Sequence, residues 1–242
     1  MSSIQQTADC RLGGELIRAR WSAFAVVFGV LGATAPVSAS DAVYDYSVHH
    51  PVYGEIGNLV YRIERTADTR RISSQLRIAI TILGITAYRY EADTVEAWRG
   101  DRLVMLLSEL NKDGNFMEVH GEARDGRFLV TSNAGTFTAS PDVAPPDPWL
   151  VRSSGTKTVI STSTGRVLDA RISGGESMTL PIQGADVAVR HFSIDDDKHQ
   201  EVWLDEHNIP VMMRSVEAGD RIDFILTTPL VRAAQTAIAE HR

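Results

Sequence analysis

No proline occurs between Val52 and Ser140, and within that stretch Gly84, Gly100, Gly114 and Gly126 recur at separations of sixteen, fourteen and twelve residues. Glycine reaches the positive φ that tight hairpin turns need. The flanking residues suit that role: Arg99-Gly100-Asp101, Lys112-Asp113-Gly114-Asn115 and Arg124-Asp125-Gly126-Arg127. The spacing predicts long antiparallel strands in a meander.

Side-chain periodicity agrees. Leu76, Ile78, Ile80 and Ile82 alternate with Arg77, Ala79 and Thr81, and Leu59, Tyr61 and Ile63 alternate with Val60, Arg62 and Glu64. Period two puts one apolar and one largely polar face on each strand, as in an antiparallel sheet with one side in water. No strand and helix alternation appears, which argues against a doubly wound parallel fold.

Residues 140–154 hold Pro141, Pro145, Pro146 and Pro148, followed by Trp149. Proline lacks the N–H of a ladder, so this run is expected to be a surface connection or a lid. Strand-like segments then resume at 157–161, 166–173, 176–180, 187–194, 201–204, 210–216 and 221–227, with Gly174-Gly175 expected as one of the turns. Only the tail, Leu230 to Glu240, has helix-forming residues at helical spacing. The chain is therefore expected to be all-β: a strongly curved antiparallel sheet or incomplete barrel of roughly thirteen strands with a short C-terminal helix. Residues 40–242 are expected to form a single β domain, with 140–154 as its proline-rich loop.

The N-terminal segment has a different grammar. Arg11, Arg18 and Arg20 precede an apolar run from Ala23 to Ala35, and no acidic residue lies between Arg20 and Asp41. A positive stretch, a short apolar core and small residues form the pattern of a secretory leader. Thirteen residues of helix reach only about 20 Å, short of the ~30 Å hydrocarbon core, so a transmembrane span is not expected. Val37-Ser38-Ala39 places cleavage after Ala39, which makes 1–39 a signal peptide and the mature protein periplasmic. The single cysteine, Cys10, precedes the apolar core and leaves with the leader. The mature chain of 203 residues then has 21 basic against 29 acidic groups, a net charge of −8, and no thiol for a disulfide, nucleophile or metal. An acidic chain without a basic block offers no footprint for nucleic acid.

Among the residues that could carry chemistry, all six tyrosines, Tyr44, Tyr46, Tyr53, Tyr61, Tyr88 and Tyr90, cluster early in the mature chain. On a concave sheet face they offer apolar rings with hydroxyl handles. Counting by twos from Tyr88 through Tyr90, Ala92 and Thr94 puts Glu96 and Trp98 on the same face, unless a bulge near Thr94 reverses the phase. A carboxylate among aromatics has a raised pKa, as a general acid requires. Tyr61, Tyr88, Tyr90 and Trp98 are the candidate ligand-binding residues, and Glu96 with His120 the candidate catalytic pair. His49 and His50 are adjacent on a strand and face opposite sides, which disfavours a metal site; no metal or cofactor is expected. The acidic section from Asp195 to Asp223 could face a basic partner or keep exposed turns soluble. No nucleophile-elbow, zinc-protease or phosphate-loop motif is present.

Short motifs spread over residues 43–227 resemble a group of exported proteobacterial proteins of unassigned function: Tyr53-Gly54-Glu55-Ile56-Gly57, Leu83-Gly84-Ile85-Thr86-Ala87-Tyr88-Arg89-Tyr90, Glu96-Ala97-Trp98, Asn111-Lys112-Asp113-Gly114 and Trp203-Leu204-Asp205. The architecture is more remotely similar to the curved-sheet lipoprotein carriers of the bacterial envelope. Those carriers hold acyl chains in a half-barrel. The export signal, the one-sided apolar strands and the clustered tyrosines lead to the expectation of a periplasmic, non-enzymatic protein that binds an apolar or lipid-like small molecule in the concavity of its sheet. Two other expectations stand beside it: an envelope scaffold or assembly factor acting through protein contacts, and a hydrolase or isomerase using Glu96 and a histidine.

Overall fold

The computed structural model describes residues 40–66, 68–152, 154–217 and 219–233, so the expected leader and most of the C-terminal tail lie outside the described residues. The first meander comprises β1 (Ser40–His50), β2 (Gly54–Arg65), β3 (Thr69–Ile82), β4 (Ile85–Arg99), β5 (Arg102–Lys112), β6 (Asn115–Arg124), β7 (Arg127–Ser132) and β8 (Gly135–Ala139). The second comprises β9 (Gly155–Ile160), β10 (Val167–Ile182), β11 (Ala185–Asp195), β12 (His199–Leu204), β13 (Pro210–Glu217) and β14 (Asp220–Leu226). Gly84, Gly100, Gly114 and Gly126 all sit in hairpin turns at positive φ, which no bulky side chain adopts without strain.

All fourteen strands form one antiparallel sheet in the order β8-β7-β6-β5-β4-β3-β2-β1-β14-β13-β12-β11-β10-β9. The two meanders join through the pairing of β1 with β14, with Tyr46 opposite Leu226 and Val48 opposite Phe224. The edge strands are therefore β8 and β9, consecutive in sequence and connected by residues 140–154. The sheet curls into a nearly closed barrel. At the seam, Ala144 of the connection bridges to Val159 of β9 in parallel, and Ser132 Oγ donates to the Thr164 carbonyl at 2.7 Å.

The proline-rich connection corrects an expectation. It does not lie on the surface: Val143, Ala144, Pro145, Pro148 and Val151 are buried, and Trp149 packs against Tyr61 at 5.1 Å and Tyr44 at 6.3 Å between ring centroids. The segment turns into the barrel and forms a plug. Proline makes this possible, because a stretch with few N–H groups leaves few donors to satisfy in an apolar interior. A second correction concerns Gly174-Gly175. There is no turn there; β10 runs through with a register shift between Gly174 and Glu176, so the seven strands expected after the loop are six. Glycine serves a close approach instead, since a Cβ on Gly174 would stand 2.5 Å from the His191 carbonyl oxygen.

The core fills the barrel from inward-facing alternate positions: Ala42, Tyr44, Tyr46 and Val48 of β1, Leu106 of β5, Val119 of β6, Phe128 and Val130 of β7, and Leu226 of β14. A helical turn spans 230–233, where the Ala233 N–H bonds to the Pro229 carbonyl.

Candidate functional site

Cross-strand register assembles the interior in rungs. Across β2, β3 and β4 these are Ile63/Ile72/Glu96, Tyr61/Ser74/Thr94, Leu59/Leu76/Ala92 and Gly57/Ile78/Tyr90. The β3–β4 ladder shifts only between Ile80 and Thr81, so no bulge near Thr94 reverses the phase, and Tyr88 through Trp98 keep one face. The upper rungs line a cavity of about 250 Å³. Its near wall is Leu59, Tyr61, Ser74, Leu76, Ile78, Tyr88, Tyr90 and Thr94, and its far wall includes Val202, Met213, Ile222 and Phe224 of β12–β14. Pro146 and Pro148 of the plug also line it, as do the turns at 161–163 and 196–198.

Alternate hairpins of a meander share an end, which orients this space. The turns following β1, β3, β5, β9 and β11 are all at one end, and the plug enters from the other. The cavity is thus a well with turns of that end on its rim and Pro146 and Pro148 of the plug on its wall. Apolar and polar groups share the wall about equally: aliphatic residues and the Tyr61, Tyr88 and Tyr90 rings stand with Ser74, Thr94, Gln200 and Ser215 and with the charged residues Asp196, Asp197, Lys198, Glu201 and Arg214.

Three of the four candidate ligand residues, Tyr61, Tyr88 and Tyr90, meet on the well. Trp98 does not. It lies deeper, one rung beyond Glu96 and opposite Arg70, donating from Nε1 to Glu96 Oε2 at 2.9 Å while the Arg70 guanidinium covers its ring at 4.9 Å. Glu96 is only 4% exposed. Burial raises its pKa well above the carboxylate range, the charge of Asp147 adds to that rise, and the Trp98 bond and Arg70 oppose it. Tyr61 is raised by burial and then by the charges of Asp147 and Glu96.

His120 and Glu96 do not come together. The row containing Glu96 continues through Leu106 to Gly121, so His120 points to the opposite, outer face and is exposed. The expected acid–base pair therefore has no shared space for a substrate. Gly121 is where it is for packing, since a Cβ there would lie 2.4 Å from the Phe128 ring.

Sequence reasoning missed the packing behind Tyr61. Tyr44, Tyr46, Tyr61 and Trp149 form one aromatic cluster, with Tyr46 edge-on to Tyr61 at 6.0 Å and donating from its hydroxyl to the Pro210 carbonyl at 2.9 Å. Asp147 holds the adjoining bend, its carboxylate accepting from the Trp149 N–H at 2.8 Å. A tryptophan following clustered prolines was the available signal, but nothing local said it turns inward.

The acidic section is partly consumed within the sheet. Arg214 bonds Glu201 at 3.1 Å and Asp223 at 2.7 Å, Arg221 also pairs with Asp223, and His191 stacks on Trp203 while contacting Glu201 at 3.0 Å. Burial alone would raise the Asp223 pKa, but the hydrogen bonds and charges of Arg221 and Arg214 bring it below the ordinary value. The Asp205 carboxylate caps a turn, accepting from the N–H groups of His207 and Ile209. Among the described residues no group of three His, Cys, Asp or Glu side chains is placed to hold a metal, and no helix is long and apolar enough to cross a membrane.

Residues 54–227, from β2 through β14, match the family model described as a domain of unknown function, DUF6134. Among solved structures the chain is similar to a beta-barrel-like protein of the domain of unknown function DUF1849 from Brucella abortus. The two are 13% identical with a TM-score of 0.58, over 80% of this chain and 97% of that one. This likeness is one of fold alone. No curated protein matches the sequence.

Proposed function

This chain belongs to the family of unknown function DUF6134, and we propose that it is an exported, non-enzymatic carrier whose barrel holds an amphipathic, lipid-like small molecule in its well. The observation that carries this reading is the cavity itself: about 250 Å³, with the aliphatic rungs of β2–β4 and the Tyr61, Tyr88 and Tyr90 rings on one wall and Val202, Met213, Ile222 and Phe224 on the other. A site of that size falls just below the ~300–1,000 Å³ usual for small-molecule pockets. It suits a single apolar chain with a polar head better than a two-chain phospholipid. The leader-like segment at 1–39 supports export to the periplasm.

Native mass spectrometry and lipid extraction of protein purified from the periplasm test the reading. A stoichiometric adduct of one amphiphile is expected, and Ala92→Trp, which fills the well from β4, is expected to abolish it with the fold retained. Protein that is empty as isolated and takes up no member of a fatty-acid series would overturn the reading.

A further inference from the structure

The β3–β4 hairpin outruns its neighbours at the mouth of the well. Its ladder to β2 stops at Gly57 opposite Ile78, and its ladder to β5 stops at Tyr90 opposite Lys112, so residues 79–88 form a ribbon paired only with itself. The ribbon has two unlike faces. Ile80 pairs with Tyr88 and, beyond the register shift that leaves Ala87 as the extra residue, Ile82 pairs with Ile85. On β3, Ile80 and Ile82 follow the inward Ile78 at intervals of two. All four side chains therefore continue the face that lines the well, where Ile78 and Tyr88 already stand. Thr81, Thr86 and Arg89 take the outer face.

Exposure is the reverse of what a half-wet sheet leads one to expect, where the apolar side is the covered one. Ile85 is 72% exposed and Ile82 47%, although both are on the cavity side, and Leu83 at the tip is 98% exposed. The outward face of the ribbon is the polar one, so what covers these isoleucines has to lie over the mouth. No part of the far rim is suited to it. That rim consists of the Ser161-Thr162-Ser163 turn and of Asp196, Asp197 and Lys198. Apolar atoms facing Ile82 and Ile85 have to come from a molecule held in the well.

The base of the ribbon is built to bend as a unit. Arg77 holds both carboxylate oxygens of Asp93 at 2.8 and 2.6 Å, tying β3 to β4 just below it. On the β2 side the ladder ends at Gly57, where a Cβ would stand 1.9 Å from the Arg77 carbonyl oxygen, and the β1–β2 register shifts beside it between Val48 and His49. The two strands stay joined to each other where the ladders joining them to the wall have ended. From Ile78 to the tip the ribbon extends about 16 Å, and facing sheets pack about 10 Å apart, so it is long enough to cross the mouth.

We infer that this ribbon is a ligand-gated lid, swinging over the mouth so that Ile80, Ile82 and Ile85 close on an apolar chain that rises from the well. The inference rests on the carrier reading and adds to it that the bound chain is longer than the cavity of about 250 Å³. Empty protein stays open, because the apolar face would meet only water and a polar rim. Burial of the isoleucines on the bound chain supplies the difference between the two states.

Double electron–electron resonance between spin labels at Leu83→Cys and Asp197→Cys, in a Cys10→Ser background, reads the gap across the mouth. The probes are saturated fatty acids from octanoate to hexadecanoate, and hexadecanoate is expected to shorten the distance by about 10 Å. Ile82→Ser combined with Ile85→Ser is expected to raise the dissociation rate of hexadecanoate about a hundredfold, at about tenfold for each isoleucine withdrawn from the chain. The thermal midpoint of the empty double variant should equal that of the wild type, since both side chains are in water there. Acids that bind by native mass spectrometry without moving the distance, or that leave the double variant at the wild-type rate, overturn the lid and leave the carrier reading standing. If no acid of the series binds, both fall. Sedimentation in which wild-type chains pair and the double variant frees them also overturns the lid, because the ribbon would then serve a second copy.

Discussion

Glu96 shows what one side chain experiences inside this barrel. Its carboxyl is buried against Trp98, faces Arg70 from β3 and Tyr61 from β2, and feels the charge of Asp147 from the plug. Burial first and Asp147 second raise its pKa, so the folded chain binds this proton more tightly than the unfolded chain does. The stability associated with the protonated carboxyl is fully present below the unfolded value of about 4.3. It is lost as pH rises through the higher folded value. Glu96→Gln keeps an oxygen for the Trp98 N–H and has no charge to bury. In thermal denaturation across that window, wild-type stability is expected to fall with rising pH relative to the variant; parallel curves would contradict this. The side of the sheet that Glu96 occupies was readable by counting along β4. Its partner Asp147 was not, since a loop residue has no periodicity to count.

At the scale of elements, the plug does most to distinguish this barrel from an open sheet. Four prolines in a short run marked it as unable to join a central ladder, and that part of the reading holds: only Ala144 bridges, at the edge. Its inward course depends on Trp149 meeting Tyr44 of β1 and Tyr61 of β2 and on the burial of Val143 and Val151, which no local pattern announces. Trp149→Ala is expected to cost about 2–3 kcal/mol in urea unfolding, below the range for a fully buried tryptophan because its ring is only partly covered. Limited proteolysis within 140–154 should accelerate in the same variant. Unchanged cleavage would mean that the ring does not hold the plug.

For the whole molecule, the decisive contact is the pairing of β1 with β14, which joins residues far apart in sequence, such as Tyr46 and Leu226. Local hairpins close short loops, whereas this ladder closes a loop that contains every other strand and forms against a larger entropic cost. Leu226→Ala, at a fully buried position, is expected to destabilise by about 2–5 kcal/mol. Because the contact forms late, most of that loss should appear as faster unfolding in stopped-flow chevrons, with the refolding arm little moved. A slowed refolding arm would place the junction in the nucleus instead.

The sequence by itself determined that this protein is an antiparallel meander with one apolar and one polar face, and where most of its turns fall. Those properties follow from side-chain period and from glycine's access to positive φ, both local. The tertiary structure decided that the meanders join at β1 and β14, that the proline segment fills the seam and lines the cavity, and that Tyr61, Tyr88 and Tyr90 share a well while Trp98 and Glu96 lie beneath it and His120 outside. These depend on how a curved sheet brings distant residues face to face, and burial between such residues leaves no mark at any fixed spacing along the chain.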